Sequence, residues 1–368
     1  MNPQPGAMPF WPRVSPHFLA CRRAVRAAKM GHAVAVGLSG GADSLALCAA
    51  MIAEGHDVIA LCVEHGLQDG SREQAEKAAR QAESLGARAR VLAVQVPDKG
   101  GNSLEAVARQ ERYRAMSAAA CEARGGRQGR EDAASRRAEI CERDAELGEV
   151  ACEGAATRGK TAREDGASRG GRSPLEIAVA HTADDQAETL LLGALRGRVA
   201  GMPERAIVEG ARVVRPFLQV RRADTEGACA ELGLDVWQDP QNADTDFRRV
   251  ALRREIIPEL SRVIGGDAVP ALAQAAMDTA RDEEYLATPA TADCAELAAL
   301  PEPRRRRAIA AWLIERGVKV TREGIGGIGK LCTNWHGQGP VAVSSARQAG
   351  QRLEVARIGG KLALLSGH

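Results

Sequence analysis

The chain has 368 residues, 45% hydrophobic and 27% charged, with a formal net charge of +2. That length leaves room for two domains and a substantial core. The near-zero charge excludes the global basic field of a small nucleic-acid binder, so any RNA contact must come from local clusters. Nine scattered cysteines, with no Cys-x-x-Cys pair, argue against a zinc ribbon or the common iron–sulfur spacing and fit a reducing cytosol. No apolar run reaches the length of a bilayer span. The Pro-rich start, Met1 to Pro12, lacks the basic-then-apolar order of a signal peptide. A cytoplasmic protein with no membrane partner is expected.

Residues 1–30 read as an N-terminal segment with a first helix. Ala33 to Leu38 then form a short apolar run, followed by Ser39-Gly40-Gly41-Ala42-Asp43-Ser44 and an Ala/Leu-rich stretch, Leu45 to Ala53. The pattern is strand, glycine turn, helix. Such a turn gathers backbone N–H groups and the positive end of a helix at one spot, which suits a phosphate. A Walker loop would carry Gly-Lys-Ser/Thr; here an aspartate stands among the donors instead. A carboxylate beside phosphates suits a Mg²⁺-bridged site, with Asp43 as the candidate ligand. A plain glycine turn between core elements is the bland alternative.

Asp57 to Val63 reads as a buried strand ending in Glu64-His65-Gly66-Leu67, and Ser71 as the cap of a helix running to about Leu85. Arg90 to Val96 is a third strand. A helix from Asn102 or Ser103 carries Arg109, Arg112 and Tyr113. Strands alternating with helices imply a parallel twisted sheet with helices on both faces, whose ligands bind beyond the carboxyl ends of the strands. From 121 to 173 the pattern breaks. Arg, Glu, Ala and Gly dominate, basic and acidic residues balance, and too few apolar side chains occur to offset the entropy of ordering. This stretch is expected to be a mobile, solvated insertion.

A strand resumes at Leu175 to Ala180, followed by His181-Thr182-Ala183-Asp184-Asp185-Gln186-Ala187-Glu188-Thr189. In a helix starting near Asp184, Asp185 and Glu188 share a face and could hold Mg²⁺ or a cationic amine. Helix capping explains one or two such acids, but not His181, Asp184, Asp185 and Glu188 together. Arg212 to Leu218 reads as a strand, and Arg221 to Leu232 as a helix. The polar turn Asp239 to Asp244 leads to a basic helix start, Phe247 to Arg254, where Arg249 and Arg253 share a face that either meets phosphate or RNA or is simply solvated. Beyond Pro258 come helices at Val269 to Leu286 and Ala295 to Arg316, then short strands near 341–343 and 353–365. The expected division is 31–235 for a nucleotide-binding catalytic domain, 236–265 for a basic linker helix and 266–368 for a smaller, mostly helical α+β domain. Gly324 to Lys330 mimics both the dinucleotide and the Walker glycine patterns. Leu331 replaces the Mg²⁺-binding Ser/Thr, and Thr333 to Gly337 breaks helix soon after, so it reads as a decoy.

Together these segments resemble the tRNA(Ile)-lysidine synthetase family of PP-loop ATP pyrophosphatases. Ser39 to Ser44 is similar to the superfamily's Ser-Gly-Gly-x-Asp-Ser loop. Val63 to Leu67 resembles Val-Asp-His-Gly-Leu, with Glu64 for Asp, and Ala108 to Tyr113 resembles Ala-Arg-x-x-Arg-Tyr. His181 to Thr189 is the most specific signature. Arg215 to Leu218, Asp239 to Asn242, Phe247 to Arg253 and Trp335 to Pro340 follow in family order. The departures are the insertion and Val250, which stands where the family pattern has Asn. The resemblance covers all but the first dozen residues and the insertion.

The resemblance implies that ATP adenylates C2 of the wobble cytidine in the CAU anticodon of tRNA(Ile). Free L-lysine then displaces AMP to give lysidine. Ser39, Gly40, Gly41, Ala42, Asp43 and Ser44 would hold ATP with Mg²⁺. Asp43, Arg112, Asp185 and Glu188 would be catalytic. Arg109, His181, Asp184, Asp185, Glu188, Arg249 and Arg253 would be candidates for lysine or tRNA contact. A PP-loop cytidine thiolase is disfavoured by the absent Cys-x-x-Cys pair, and a small-molecule PP-loop synthetase by the extra C-terminal domain. A non-catalytic nucleotide-binding module is disfavoured by the acidic cluster. The sequence leaves oligomeric state open, a homodimer included.

Overall fold

A computed structural model describes residues 11–12, 14–64, 66, 70–95, 107–123, 174–238, 248–346 and 350–366. Of the insertion expected at 121–173, residues 121–123 continue the preceding helix; residues 124–173, the turn Asp239 to Asp244, His65, Phe247 and the start expected at Asn102 or Ser103 lie outside the described residues. Two compact units result, Met1–Ala276 and Met277–His368.

The first unit is built on a six-stranded sheet. Helix α1 (Pro16–Ala27) precedes β1 (Ala33–Gly37), α2 (Ala42–Ala53), β2 (Asp57–Glu64), α3 (Ser71–Leu85), β3 (Arg88–Ala93) and α4 (107–123). After these come β4 (Ile177–Ala178), α5 (Ala183–Ala194), β5 (Arg205–Val208), β6 (Ala211–Val214) and α6 (Arg222–Leu232). The strand order is β3-β2-β1-β4-β6-β5, all neighbours parallel except the antiparallel β5–β6 pair at the edge. The sheet therefore grows outward from β1 in one direction and from β4 in the other. Between the carboxyl ends of β1 and β4 lies a topological switch point, where open α/β sheets form their ligand crevice.

Period-two alternation explains why both faces are covered. On β1 and β2, Val34, Val36, Val58, Ala60 and Cys62 point into a core shared with α1, α2, α3 and α6. Ala35, Ile59 and Leu61 point the other way, against Tyr113, Met116 and Ala119 of α4. Helix α2 is buried from Ser44 through Ile52, so truncating Leu47 to Ala should cost about 2–5 kcal/mol. The helix that carries the glycine loop is thus rigidly held.

Local differences from the expected elements have simple causes. Gly70, in the left-handed region, is the N-cap of α3, and Ser71 is its first residue. Strand β5 was not expected. It is four residues long, half-exposed at the sheet edge, and turns into β6 through Glu209 and Gly210, both at positive φ, as a tight hairpin requires. Basic residues 248–264 form α7 (Arg248–Ala251), a π turn (Leu252–Ile256) and α8 (Ile257–Ile264). Helix α9 (Ala268–Tyr285) follows, and the boundary between units falls inside it rather than near 266. The reason is packing: Val269 and Ala273 bury against Ala183, Ala187 and Ile257.

In the second unit, α10 (Cys294–Ala299), α11 (Glu302–Glu315) and α12 (Arg322–Thr333) share a core with an antiparallel sheet β7-β8-β9 (Val341–Ser344, Arg352–Ile358, Lys361–Ser366). Leu300 and Pro301 split the single helix expected over 295–316. The decoy glycines lie inside α12. A Cβ on Gly327 would sit 3.0 Å from Val341, so that glycine lets helix and sheet approach.

Candidate active site

The glycine loop leaves β1 and enters α2. Gly40 sits at φ +84°, and a Cβ there would come within 2.9 Å of the Gln74 side chain, so the turn requires glycine. The loop is tied to itself: Ser39 N donates to Ser44 Oγ at 3.2 Å, and Ser44 Oγ donates to the Gly41 carbonyl at 3.0 Å. Gly41 is the N-cap of α2, and no side chain caps that end. The first-turn N–H groups of Ala42, Asp43 and Ser44 therefore present the positive helix end to an anion.

Asp43 projects from this turn. Thr225 of α6 donates a hydrogen bond to its Oδ1, and Arg222 Nε lies 3.5 Å from Oδ2. Burial raises its pKa from the ordinary 3.8 to about 6, against the pull of Arg222 and Thr225.

One strand away, β4 delivers His181 and the start of α5. Thr182 caps α5 through a capping box: Thr182 N and Oγ1 both donate to Asp185 Oδ2, at 2.8 and 2.9 Å. The other oxygen, Oδ1, accepts from Arg222 at 2.8 Å. Asp185 thus caps the helix with one oxygen and faces the crevice with the other. Burial opposes its charge, but Arg222 and the Thr182 bonds prevail, so its pKa lies below the ordinary value. Glu188, one turn on, is fully buried and meets three guanidinium groups. Arg253 Nε is 2.8 Å away, Arg249 3.5 Å and Arg222 3.6 Å. The shared face expected of Arg249 and Arg253 is real, and it turns toward Glu188. The π turn sits at this contact, as such irregularities commonly do at functional sites.

Asp184 points elsewhere. It accepts from Arg222 N at 2.8 Å and from Arg221 at 3.2 Å, so it caps α6 and anchors it to α5. The His181 Nδ1 atom is buried and has no hydrogen-bond partner among the described residues. Burial pushes its pKa down to about 4, and Arg215, Arg109 and Arg112 push the same way, so the ring is neutral at physiological pH. Arg109 and Arg112 lie 5.3 and 5.8 Å from the Tyr113 ring centroid, on α4.

Sequence reasoning missed Arg222 and Thr225. For Arg222 the sequence carried only a partial signal, since two arginines opening a helix oppose its dipole unless acids from elsewhere receive them, and it did not say which acids. Among the described residues, no group of three or more His, Cys, Asp or Glu is disposed to hold a metal ion. Asp43, together with substrate phosphates, matches the way Mg²⁺ is usually held, by one or two carboxylates and phosphate oxygens.

The fold and this crevice define a PP-loop protein, a class that uses ATP. The PP-loop domain family matches residues 19–125 and 172–260, and the TilS substrate binding domain family matches 293–354. The tRNA(Ile)-lysidine synthase of Corynebacterium glutamicum is 41% identical over 359 residues, covering 95% of this chain and 96% of that protein. That of Corynebacterium diphtheriae is 44% identical over 356 residues, covering 96% and 99%. That of Nocardia farcinica is 39% identical over 349 residues, covering 90% and 91%. The chain belongs to the tRNA(Ile)-lysidine synthase family.

Proposed function

We propose that this protein uses ATP to join the ε-amine of free L-lysine to C2 of the wobble cytidine in the CAU anticodon of tRNA(Ile). The products are lysidine, AMP and pyrophosphate. The observation that carries the proposal is the meeting, at one switch point, of an anion-binding helix start with Asp43 and a second helix start with Asp185 and Glu188.

The chemistry divides between these halves. The C2 oxygen of cytidine is a poor leaving group until it is adenylated. The N–H groups of Ala42, Asp43 and Ser44 hold the departing pyrophosphate, and Asp43 would hold the Mg²⁺ that neutralises it. Arg112 and Arg109 supply positive charge for the α-phosphate as negative charge builds in the transition state. Asp185 and Glu188 bind the lysine ammonium, and one of them takes the proton that the amine must lose before attack. Neutral His181 offers Nδ1 for a hydrogen bond to the base or its ribose. The target base leaves its stack cheaply from an anticodon loop. In this reading the second unit binds the tRNA body and selects it over a methionine tRNA with the same anticodon.

The test combines protein, ATP, Mg²⁺, radiolabelled lysine and CAU-anticodon isoleucine tRNA. Lysine label in the RNA is expected, with one AMP per lysine. Label from another amino acid, or none from lysine, overturns the proposal.

A further inference from the structure

Arg222 lies in the first turn of α6, where a cation opposes the helix dipole. Its backbone is fixed by Asp184, and its side chain, 18% exposed, reaches carboxylates on two other helices. The contacts are unequal. Asp185 Oδ1 accepts a hydrogen bond at 2.8 Å, whereas Asp43 and Glu188 lie at 3.5 and 3.6 Å. The guanidinium is shared rather than committed. The surrounding groups do not depend on it equally. Asp43 keeps Thr225, and Glu188 keeps Arg253 and Arg249. Asp185 Oδ2 keeps Thr182. Asp185 Oδ1 and Asp43 Oδ2 each have Arg222 as their sole described partner, and the Asp185 contact is the closer, at 2.8 against 3.5 Å.

Two charged ligands compete for this arrangement. A triphosphate at residues 39–44 is a dense anion beside Asp43 and attracts the guanidinium. A lysine ammonium seeks the same carboxylate oxygen that Arg222 occupies. We propose that Arg222 is a positioning residue that couples the two halves of the site: nucleotide at the PP-loop draws its guanidinium from Asp185 Oδ1 and opens that oxygen to the lysine ammonium. The inference rests on the ligation reading above. It adds an order to the reaction, in which lysine binds well only after ATP is seated. Such an order keeps the amine away from a site that holds no activated base. By reciprocity, lysine tightens nucleotide binding by the same factor.

The test is calorimetric titration of L-lysine into the full-length protein, with and without Mg²⁺ and α,β-methylene ATP, whose α,β bridge cannot be cleaved. The wild-type protein should bind lysine about tenfold more tightly with the analogue, a typical coupling between sites. In Arg222→Met that ratio should fall to about one, with lysine binding without nucleotide no weaker than in the wild type, since the competing cation is gone. Arg222→Lys keeps a cation but not the fork, and should retain an intermediate ratio. A merely structural role would weaken both titrations alike and leave the ratio unchanged; that result, or a wild-type ratio of one, overturns the inference. If Arg222→Met does not fold by circular dichroism, the ratio in Arg222→Lys decides: unchanged from wild type, it overturns the inference. Failure of the ligation reading is read separately, as absence of lysine incorporation into tRNA by the wild-type protein.

Discussion

At the scale of single residues, the site places charge where burial resists it. Asp43 is the clearest case. Its folded pKa of about 6 lies above the ordinary 3.8, so folding favours the protonated form. The stability this group contributes is fully present below pH 3.8 and is lost as pH rises through about 6. Asp43→Asn mimics the protonated acid. The variant should therefore exceed the wild type in stability at pH 8 by about 1–3 kcal/mol, with the difference shrinking toward pH 4. Urea denaturation at both pH values measures it. The same variant should lose lysine- and tRNA-dependent turnover of ATP to AMP and pyrophosphate. Gained stability with lost turnover is the signature of a group kept for function. Unchanged turnover would remove Asp43 from the mechanism. Glu188 behaves in the opposite way. It is fully buried and meets Arg253, Arg249 and Arg222. Glu188→Gln keeps the shape but removes the buried negative charge that accepts from the part-exposed Arg253 and Arg249, which should cost about 1–3 kcal/mol. It should also raise KM for lysine more than KM for ATP, as steady-state kinetics with each substrate varied would show.

At the scale of elements, what could be read from sequence depended on how local the cause was. The β1–α2 and β4–α5 units were legible because apolar runs, glycine and acidic residues mark them within a dozen positions. Strand β5 was not, since a half-exposed edge strand of four residues carries no apolar run of its own. Nor were Arg222 and Thr225. Their partners, Asp43 on α2 and Asp185 on α5, are distant in sequence and meet them only when α6 packs against both. The glycines of α12 make the converse point. Gly324 to Lys330 copies a nucleotide-binding pattern, yet no strand precedes it and its residues form an ordinary helix. A Cβ on Gly327 would meet the Val341 side chain at 3.0 Å, tighter than side chains ordinarily pack. Gly327→Val should force helix and sheet apart and cost about 1–3 kcal/mol in thermal denaturation of the full chain. ATP-analogue binding should be unaffected, because the proposed nucleotide site, residues 39–44, lies within the first unit. Weakened nucleotide binding would revive α12 as a second phosphate site.

At the scale of the molecule, the chain combines an ATP-using sheet domain with a second unit that matches a substrate binding domain. The order of strands gives the site its position: two strand–helix turns flank the point where the sheet changes direction, and everything proposed for catalysis projects from them or from α4 and residues 248–256. The long stretch after α4 lies outside the described residues. Its composition lacks the apolar residues that a packed unit needs, and the PP-loop family match passes from residue 125 to residue 172 without it. Helix α4 is described to residue 123, and the chain re-enters the sheet at Ile177. Removing residues 125–170 should therefore leave lysine incorporation within about threefold of the full chain, with the same midpoint of thermal unfolding to within a few degrees. Shortening a connection this long lowers its closure entropy only slightly, because that cost grows with the logarithm of length. A collapse of activity in a deletion variant that still unfolds cooperatively at the wild-type midpoint would assign the segment a role in binding RNA, carried by its arginines.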